Sequence, residues 1–289
     1  MKDVTKSIPK KNNFKIPGHI ISTGKLLQFF STSAATKFAL KIFKTPPKFK
    51  APEREEMMRE SAKRMLFTVP ALEKDIMVYE YGYSKQKVLL IHGWAGRGTQ
   101  LYQIADKILE NRMMVISFDA PAHGLSQGKT TNFTEYLSTI HYLGEKYGPF
   151  EAVIGHSFGG VTAMAALAEK SFAKKLVIIG VDYSVNDVID TFVKKLQLKQ
   201  SVSTKMKQHL SALFKASIAS ISPCETAKKI TIPTLVLHDS QDIDVDVSNA
   251  YKIRQNLTNG ELLITKELGH RRILRDKKLI SRIIDFIKK

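Results

Sequence analysis

The sequence predicts an α/β protein: a mainly parallel central sheet covered by helices on both faces. Three observations carry this. Four short apolar runs, at 88–92, 114–118, 152–156 and 176–180, are rich in Val and Ile and too short for helices. That is the look of strands buried on both faces. Helical patterns at 100–110, 132–146 and 161–171 lie between them. The resulting β–α–β alternation places successive strands side by side and parallel.

The remaining elements follow in order. Segments 66–69 and 76–81 flank Pro70 and read as two early strands joined as a hairpin. Two late strands fit 234–239 and 261–265, with a helix at 251–256 between them and another at 278–287 closing the chain. Roughly fifty residues separate 180 from 234, far beyond the usual connection of about 2–6. Ser184-Val185-Asn186-Asp187 resembles a capping box with Asp in place of Glu. Val185, Val188, Ile189, Phe192 and Leu196 form one helical stripe, and Met206, Leu210, Leu213, Phe214 and Ile218 a second. An insertion at about 181–230 is either a helical lid over a pocket or an extra helix pair on the flank.

Of 289 residues 43% are hydrophobic and 25% charged, which excludes a mostly disordered chain. No apolar run approaches the ~18 residues of a membrane-spanning helix. The single Cys224 excludes an internal disulfide and fits a reducing compartment, so a cytoplasmic location is expected. No Cys/His group has zinc spacing.

The formal net charge of +18 is unevenly spread. Residues 1–50 carry 11 Lys and one acid, Asp3. This basic arm, taken as 1–60, has no nucleic-acid motif, and no nucleic-acid partner is expected. Within it Leu27, Phe30, Ala34, Phe38 and Ile42 recur at helical spacing among Lys25, Lys37, Lys41 and Lys44, until Thr45-Pro46-Pro47 stops the pattern. The expectation is one basic amphipathic helix. Its apolar face docks on the body of the protein, or residues 20–44 lie on an anionic membrane. A cleaved signal peptide fits less well, because the apolar core at 26–30 is short and Lys37 follows soon after.

Two pentapeptides match G-x-S-x-G, around Ser126 and Ser157. A nucleophile elbow must follow a buried strand and open a helix. Ala152-Val153-Ile154 leads into Ser157, and Gly159-Gly160-Val161-Thr162-Ala163 leads away, whereas Ser126 is followed by Lys129-Thr130-Thr131 and reads as loop. Ser157 is therefore the candidate nucleophile. A serine needs a base, and the base needs an acid that holds its tautomer. Asp242, after the strand at 234–239, and His270, after the last strand, complete the order Ser…Asp…His. Asp239, Asp244 and Asp246 crowd the same loop, and Asp242 is chosen by its spacing from His238. Upstream, a strand runs into His92-Gly93-Trp94, whose turn can aim a backbone N–H inward. The N–H groups of Trp94 and Phe158 are the expected oxyanion donors.

These motifs together resemble the α/β-hydrolase fold superfamily from about residue 65 onward, most closely its lipase/esterase and serine-aminopeptidase-like branch with a short helical lid. His92-Gly93-Trp94 matches the oxyanion turn. Residues 118–126 match the D-x-x-G-H-G-x-S loop, with Ala122 where the first Gly is usual. Residues 155–159 match the elbow, His238…Asp242…Val245 the acid loop with Asp239 replacing Gly, and Gly269-His270 the final histidine.

The resemblance implies an α/β-hydrolase domain over 61–289 that acts as a serine hydrolase without metal or cofactor. It would cleave a small-molecule carboxylic ester, thioester or amide through an acyl-enzyme on Ser157, with carboxylesterase or lipase first. His156, the elbow's variable residue, and Trp94 are expected to touch substrate. His92, His123 and His238 are expected to be structural. Two alternatives stay open: a non-hydrolytic, ligand-binding member of the fold, or a membrane-surface protein acting through the basic arm.

Overall fold

The computed structural model describes residues 16–182 and 184–289. Two helices open it, α1 (Gly18–Phe30) and α2 (Thr32–Phe43), followed by a single 3-10 turn and α3 (Glu56–Ser61). The expected single helix is thus a pair. The periodicity runs through Ser31, but Ser31 is extended (φ −158°, ψ 119°) and its Oγ accepts from the Ala34 N–H at 3.3 Å. It therefore acts as the N-cap of a new helix.

The body is one eight-stranded sheet. In chain order it comprises β1 (Lys63–Val69), β2 (Lys74–Tyr81), β3 (Lys87–Ile91), α4 (Tyr102–Glu110), β4 (Met114–Phe118), α5 (Phe133–Tyr147), β5 (Ala152–His156), α6 (Phe158–Glu169) and β6 (Leu176–Ile179). After β6 come α7 (Val185–Lys195), α8 (Gln200–Phe214) and α9 (Pro223–Ala227). The chain ends with β7 (Thr234–Asp239), α10 (Ser248–Asn256), β8 (Gly260–Thr265), α11 (Gly269–Arg272), a 3-10 turn and α12 (Lys277–Lys288). The strand order is β1-β2-β4-β3-β5-β6-β7-β8. β1 and β2 form the expected hairpin, with Val69 opposite Lys74, and β2 runs antiparallel to β4. All other pairings are parallel. Crossovers on both sides of β3 put the C-terminal ends of β3 and β5 next to each other, where ligands of open α/β sheets bind.

Alternation along each strand divides the core in two. Leu89, Ile91, Val153 and Ile178 face Tyr136 and Ile140 of α5, Met164 of α6 and Ile253 of α10. Val88, Leu90, Ile154 and Val177 face Ile104 and Ile108 of α4 and Ile280, Ile283 and Ile284 of α12. Asp276 caps α12 by accepting from the Leu279 N–H at 2.8 Å.

A third, smaller core lies away from the sheet. Ala35, Ala39 and Leu40 of α2 pack with Ile189 and Val193 of α7, Val202, Met206 and Leu210 of α8, and Leu196 and Leu198 between them. Alanines at 35 and 39 let α2 approach α8 closely. The Phe43 and Phe192 rings meet edge-on at 5.1 Å. The second arm helix thus buries one face on the insertion helices, and its buried residues are offset by one from the expected Ala34–Phe38–Ile42 stripe. α9 packs on α6 and α10 and so belongs to the body. Phe214 joins the two regions, its ring 5.7 Å from that of Phe133. No described helix is long and apolar enough to cross a membrane.

Candidate active site

Ser157 sits between the end of β5 and the start of α6 with φ 52° and ψ −122°. A non-glycine residue holds such a backbone only where its surroundings enforce it. The flanking glycines explain how. A Cβ on Gly155 would lie 2.6 Å from the Gly159 carbonyl oxygen, and one on Gly159 would lie 2.4 Å from the His92 carbonyl oxygen. Neither position has room for a side chain. The Ser157 N–H donates to the Ile179 carbonyl at 2.8 Å, and its own carbonyl accepts from Gly160 and Val161 at 2.9 and 3.1 Å. Phe158 opens α6, where the first N–H groups have no partner inside the helix.

Asp242 and His270 are brought together by the turns after β7 and β8. The His270 Nδ1 lies 2.7 Å from Asp242 Oδ2, and the Asp242 side chain is buried. The other carboxylate oxygen accepts from the Asp244 and Val245 N–H groups at 2.8 and 2.9 Å. Burial opposes ionisation of Asp242, but the His270 hydrogen bond, the His270 charge and the two N–H groups outweigh it and hold the carboxyl below its ordinary range. Gly180, at φ 62° just past β6, provides the seat for the imidazole: a Cβ there would lie 3.1 Å from His270 Nδ1. The residue before it, Ile179, accepts the Ser157 N–H. Ser157, Asp242 and His270 thus gather at the C-terminal edge of β5, β6 and β7.

The other carboxylates of the loop have different surroundings. Asp239 Oδ2 accepts from Thr265 Oγ1 at 2.7 Å and from the Leu268 N–H at 3.0 Å, and Oδ1 accepts from the Gln241 N–H. It ties the end of β7 to the loop carrying His270. Asp244 and Asp246 are exposed. Asp242, Asp244 and His270 could bring ligand atoms within 4.8 Å of one another. The Asp242 oxygens, however, are already taken up by His270 and by two N–H groups.

The turn after β3 closes the other side. The Gly96 N–H donates to the Gly93 carbonyl at 3.0 Å, and Ala95 has φ 59°. A Cβ on Gly93 would lie 3.1 Å from Ser157 Cβ, so this turn rests directly on the elbow. The Trp94 ring stands edge-on to the rings of Phe158 at 5.7 Å and His123 at 5.4 Å.

Four buried histidines hold these turns in place. The Ala95 N–H donates to His123 Nε2 at 3.1 Å, and His123 Nδ1 donates to the Pro121 carbonyl at 3.0 Å. The Ala120 N–H donates to His92 Nε2 at 3.0 Å, while His92 Nδ1 donates to the Gly93 carbonyl at 2.7 Å. Burial pushes His123 down to about 4 and His92 well below the usual histidine range, so both are neutral. His156, expected to touch substrate, is 3% exposed. Its Nε2 donates to the His270 carbonyl at 3.0 Å, and burial and the nearby His270 push it down to about 3. It supports the His270 backbone from behind. His238 Nε2 donates to the Val245 carbonyl at 3.0 Å, bracing the acid loop.

Two contributors were not anticipated from the sequence. Gly180 is signalled only by its place after a buried strand. Tyr136 puts its hydroxyl 3.5 Å from both His92 and His123, and on the sequence it reads only as one residue of a helix. Ser126, the serine of the second pentapeptide, receives no role in the site. Its Oγ accepts from the Met77 N–H and donates to the Asp119 carbonyl, pinning the loop to β2. Ala122 adopts φ 64°, in the left-handed region that favours glycine. Cys224 is partly buried, which raises its thiol pKa, and it lies away from the site.

Comparison with known proteins agrees with this architecture. Residues 87–216 match the family model described as alpha/beta hydrolase fold. A serine hydrolase-like protein of Dictyostelium discoideum is 26% identical over 137 residues, a stretch that makes up 44% of this chain and 38% of that relative. Among solved structures, an esterase from Exiguobacterium antarcticum superposes with a TM-score of 0.63 at 19% identity, covering 78% of this chain and 100% of its own. The esterase Pf2001 of Pyrococcus furiosus gives 0.63 at 20%, covering 84% and 96%. A bacterial membrane phospholipase A gives 0.64 at 16%, covering 93% and 96%. With the strand order, the glycine-flanked elbow and the family model over residues 87–216 in agreement, the chain has the α/β-hydrolase fold.

Proposed function

We propose that this protein is a serine hydrolase that cleaves a carboxylic ester through an acyl-enzyme on Ser157. The observation that carries the reading is the Asp242–His270 pair, 2.7 Å apart, at the same sheet edge as a serine held at φ 52°. In this reading Ser157 Oγ attacks the carbonyl carbon while His270 Nε2 takes its proton, and the imidazolium is stabilised through Nδ1 by Asp242. The N–H groups of Phe158 and Trp94 face the oxygen on which charge develops. The leaving group takes the proton from His270, and water repeats the sequence to release the acid.

Carboxylesterase or lipase is the first choice, with thioester or amide cleavage behind it. The amphipathic insertion helices α7 and α8, whose apolar faces pack on α2, act as a lid. Two of the compared structures are named esterases and one a membrane phospholipase A, which agrees with that class. Treatment with a fluorophosphonate followed by peptide mass mapping tests the nucleophile. The expected result is a single adduct on Ser157 that is absent from Ser157→Ala. An adduct on another serine, or none on the folded wild type, would overturn the assignment.

A further inference from the structure

The first arm helix has two faces of opposite character. On one, Gly24 packs against Leu198 and Phe38, and Ile20 and Leu27 join the arm–insertion core. On the other, Leu26, Phe29 and Phe30 are 60%, 83% and 76% exposed, and among the described residues the two phenylalanine rings meet only each other, edge-on at 5.2 Å. Exposed apolar residues scattered singly are ordinary, but three large ones within five residues of one helix are a patch. Lys25 lies at the edge of this face, its Nζ donating to Gln197 Oε1 of the insertion.

The charge along the arm has one sign. Residues 16–50 contain six lysines and no Asp or Glu. Lys37, Lys41 and Lys44 follow at i, i+4 and i+7 and so share one face of α2, away from its buried alanines. None of Lys37, Lys41, Lys44, Lys48 and Lys50 forms an ion pair among the described residues. A protein partner would have to offer an apolar hollow ringed by acids. An anionic bilayer offers both at once: a headgroup layer that attracts lysine, and an acyl boundary that takes up Phe and Leu.

We infer that the helix pair α1–α2 docks the protein on an anionic membrane surface, Leu26, Phe29 and Phe30 inserting at the acyl boundary and the α2 lysines meeting the headgroups. The arm is held to the insertion helices by the Ala35–Ala39–Leu40 contact, so docking would bring the insertion side of the molecule toward the bilayer. This placement stands whether or not Ser157 is a nucleophile.

The test is cosedimentation of the full chain with vesicles of neutral phosphatidylcholine or of the same lipid with about a third phosphatidylglycerol. Three proteins are compared: wild type, the triple variant L26S/F29S/F30S and the triple variant K37Q/K41Q/K44Q. All six positions lie outside the sheet core, and an unchanged Tm verifies each fold. Wild type is expected to bind the anionic vesicles at least tenfold more tightly than neutral ones, and less tightly as salt rises. The apolar variant is expected to lose binding at least tenfold. The lysine variant is expected to lose the preference for anionic lipid. Wild type remaining in the supernatant, or a folded apolar variant sedimenting like wild type, would overturn the inference. So would a lipid-free dimer, seen by light scattering, that the apolar substitutions abolish, since a second copy would then cover the patch.

Discussion

The His156 ring nitrogen Nε2 lies 3.0 Å from the carbonyl oxygen of His270, and the two imidazole rings are 4.7 Å apart. The residue before the elbow serine therefore supports the backbone of the histidine that would deprotonate that serine. Because His156 is buried and its pKa is depressed to about 3, it stays neutral and adds no charge beside His270. Replacing it with leucine removes the donated hydrogen bond and leaves the His270 loop less well placed. Loss of one such bond corresponds to about 1 kcal/mol, so His156→Leu is expected to lower kcat about fivefold. KM for a short ester should be nearly unchanged, because the ring is 3% exposed. A rise in KM with kcat unchanged would instead place His156 on the substrate.

The acid loop separates two carboxylates by role. Asp242→Asn removes the charge facing His270 Nδ1 and is expected to lower kcat by about three to four orders of magnitude while leaving Tm close to wild type. Asp239→Asn loosens the bonds to Thr265, Leu268 and Gln241. It is expected to cost about 1–3 kcal/mol of stability, with a much smaller loss of kcat in the folded fraction. Ester kinetics beside urea unfolding distinguishes the two, and a reversed pattern would exchange their assignments.

Stability should fall on acidification below neutrality. His92, His123 and His156 all have folded-state pKa values depressed by burial, to about 4 for His123 and about 3 for His156. An unfolded histidine takes up its proton near 6.5, so below that pH the unfolded state binds more protons and is favoured. The stabilisation is complete above about pH 7 and is lost as pH falls from there toward the folded-state values. At pH 5 His123 and His156 are each expected to cost about 2 kcal/mol relative to pH 7.5, and His92 acts in the same direction. Urea unfolding at the two values measures this. Equal free energies would mean that the histidines remain hydrated.

The strands were legible because a strand buried on both faces must be a short, continuous apolar run, and β3 to β6 are written that way. The elbow was legible because a Cβ on Gly155 or Gly159 would lie under 3 Å from neighbouring backbone, which leaves glycine as the residue that fits. The break at Ser31 was not, since the apolar spacing of Leu27, Ala34 and Phe38 continues unbroken across it. Ser31-Thr32-Ser33 was the overlooked cue, a serine able to cap a new helix. The surroundings of His156 were hidden for a different reason. Its partner is a backbone carbonyl 114 positions away, and sequence spacing carries no record of such a contact.

The central claim is that Ser157 forms an acyl-enzyme, and hydrolysis of nitrophenyl esters from acetyl to palmitoyl by wild type and Ser157→Ala tests it most directly. The account predicts hydrolysis by wild type with a maximum along the chain-length series, falling at least a thousandfold in the variant. Equal hydrolysis by a correctly folded Ser157→Ala would contradict it.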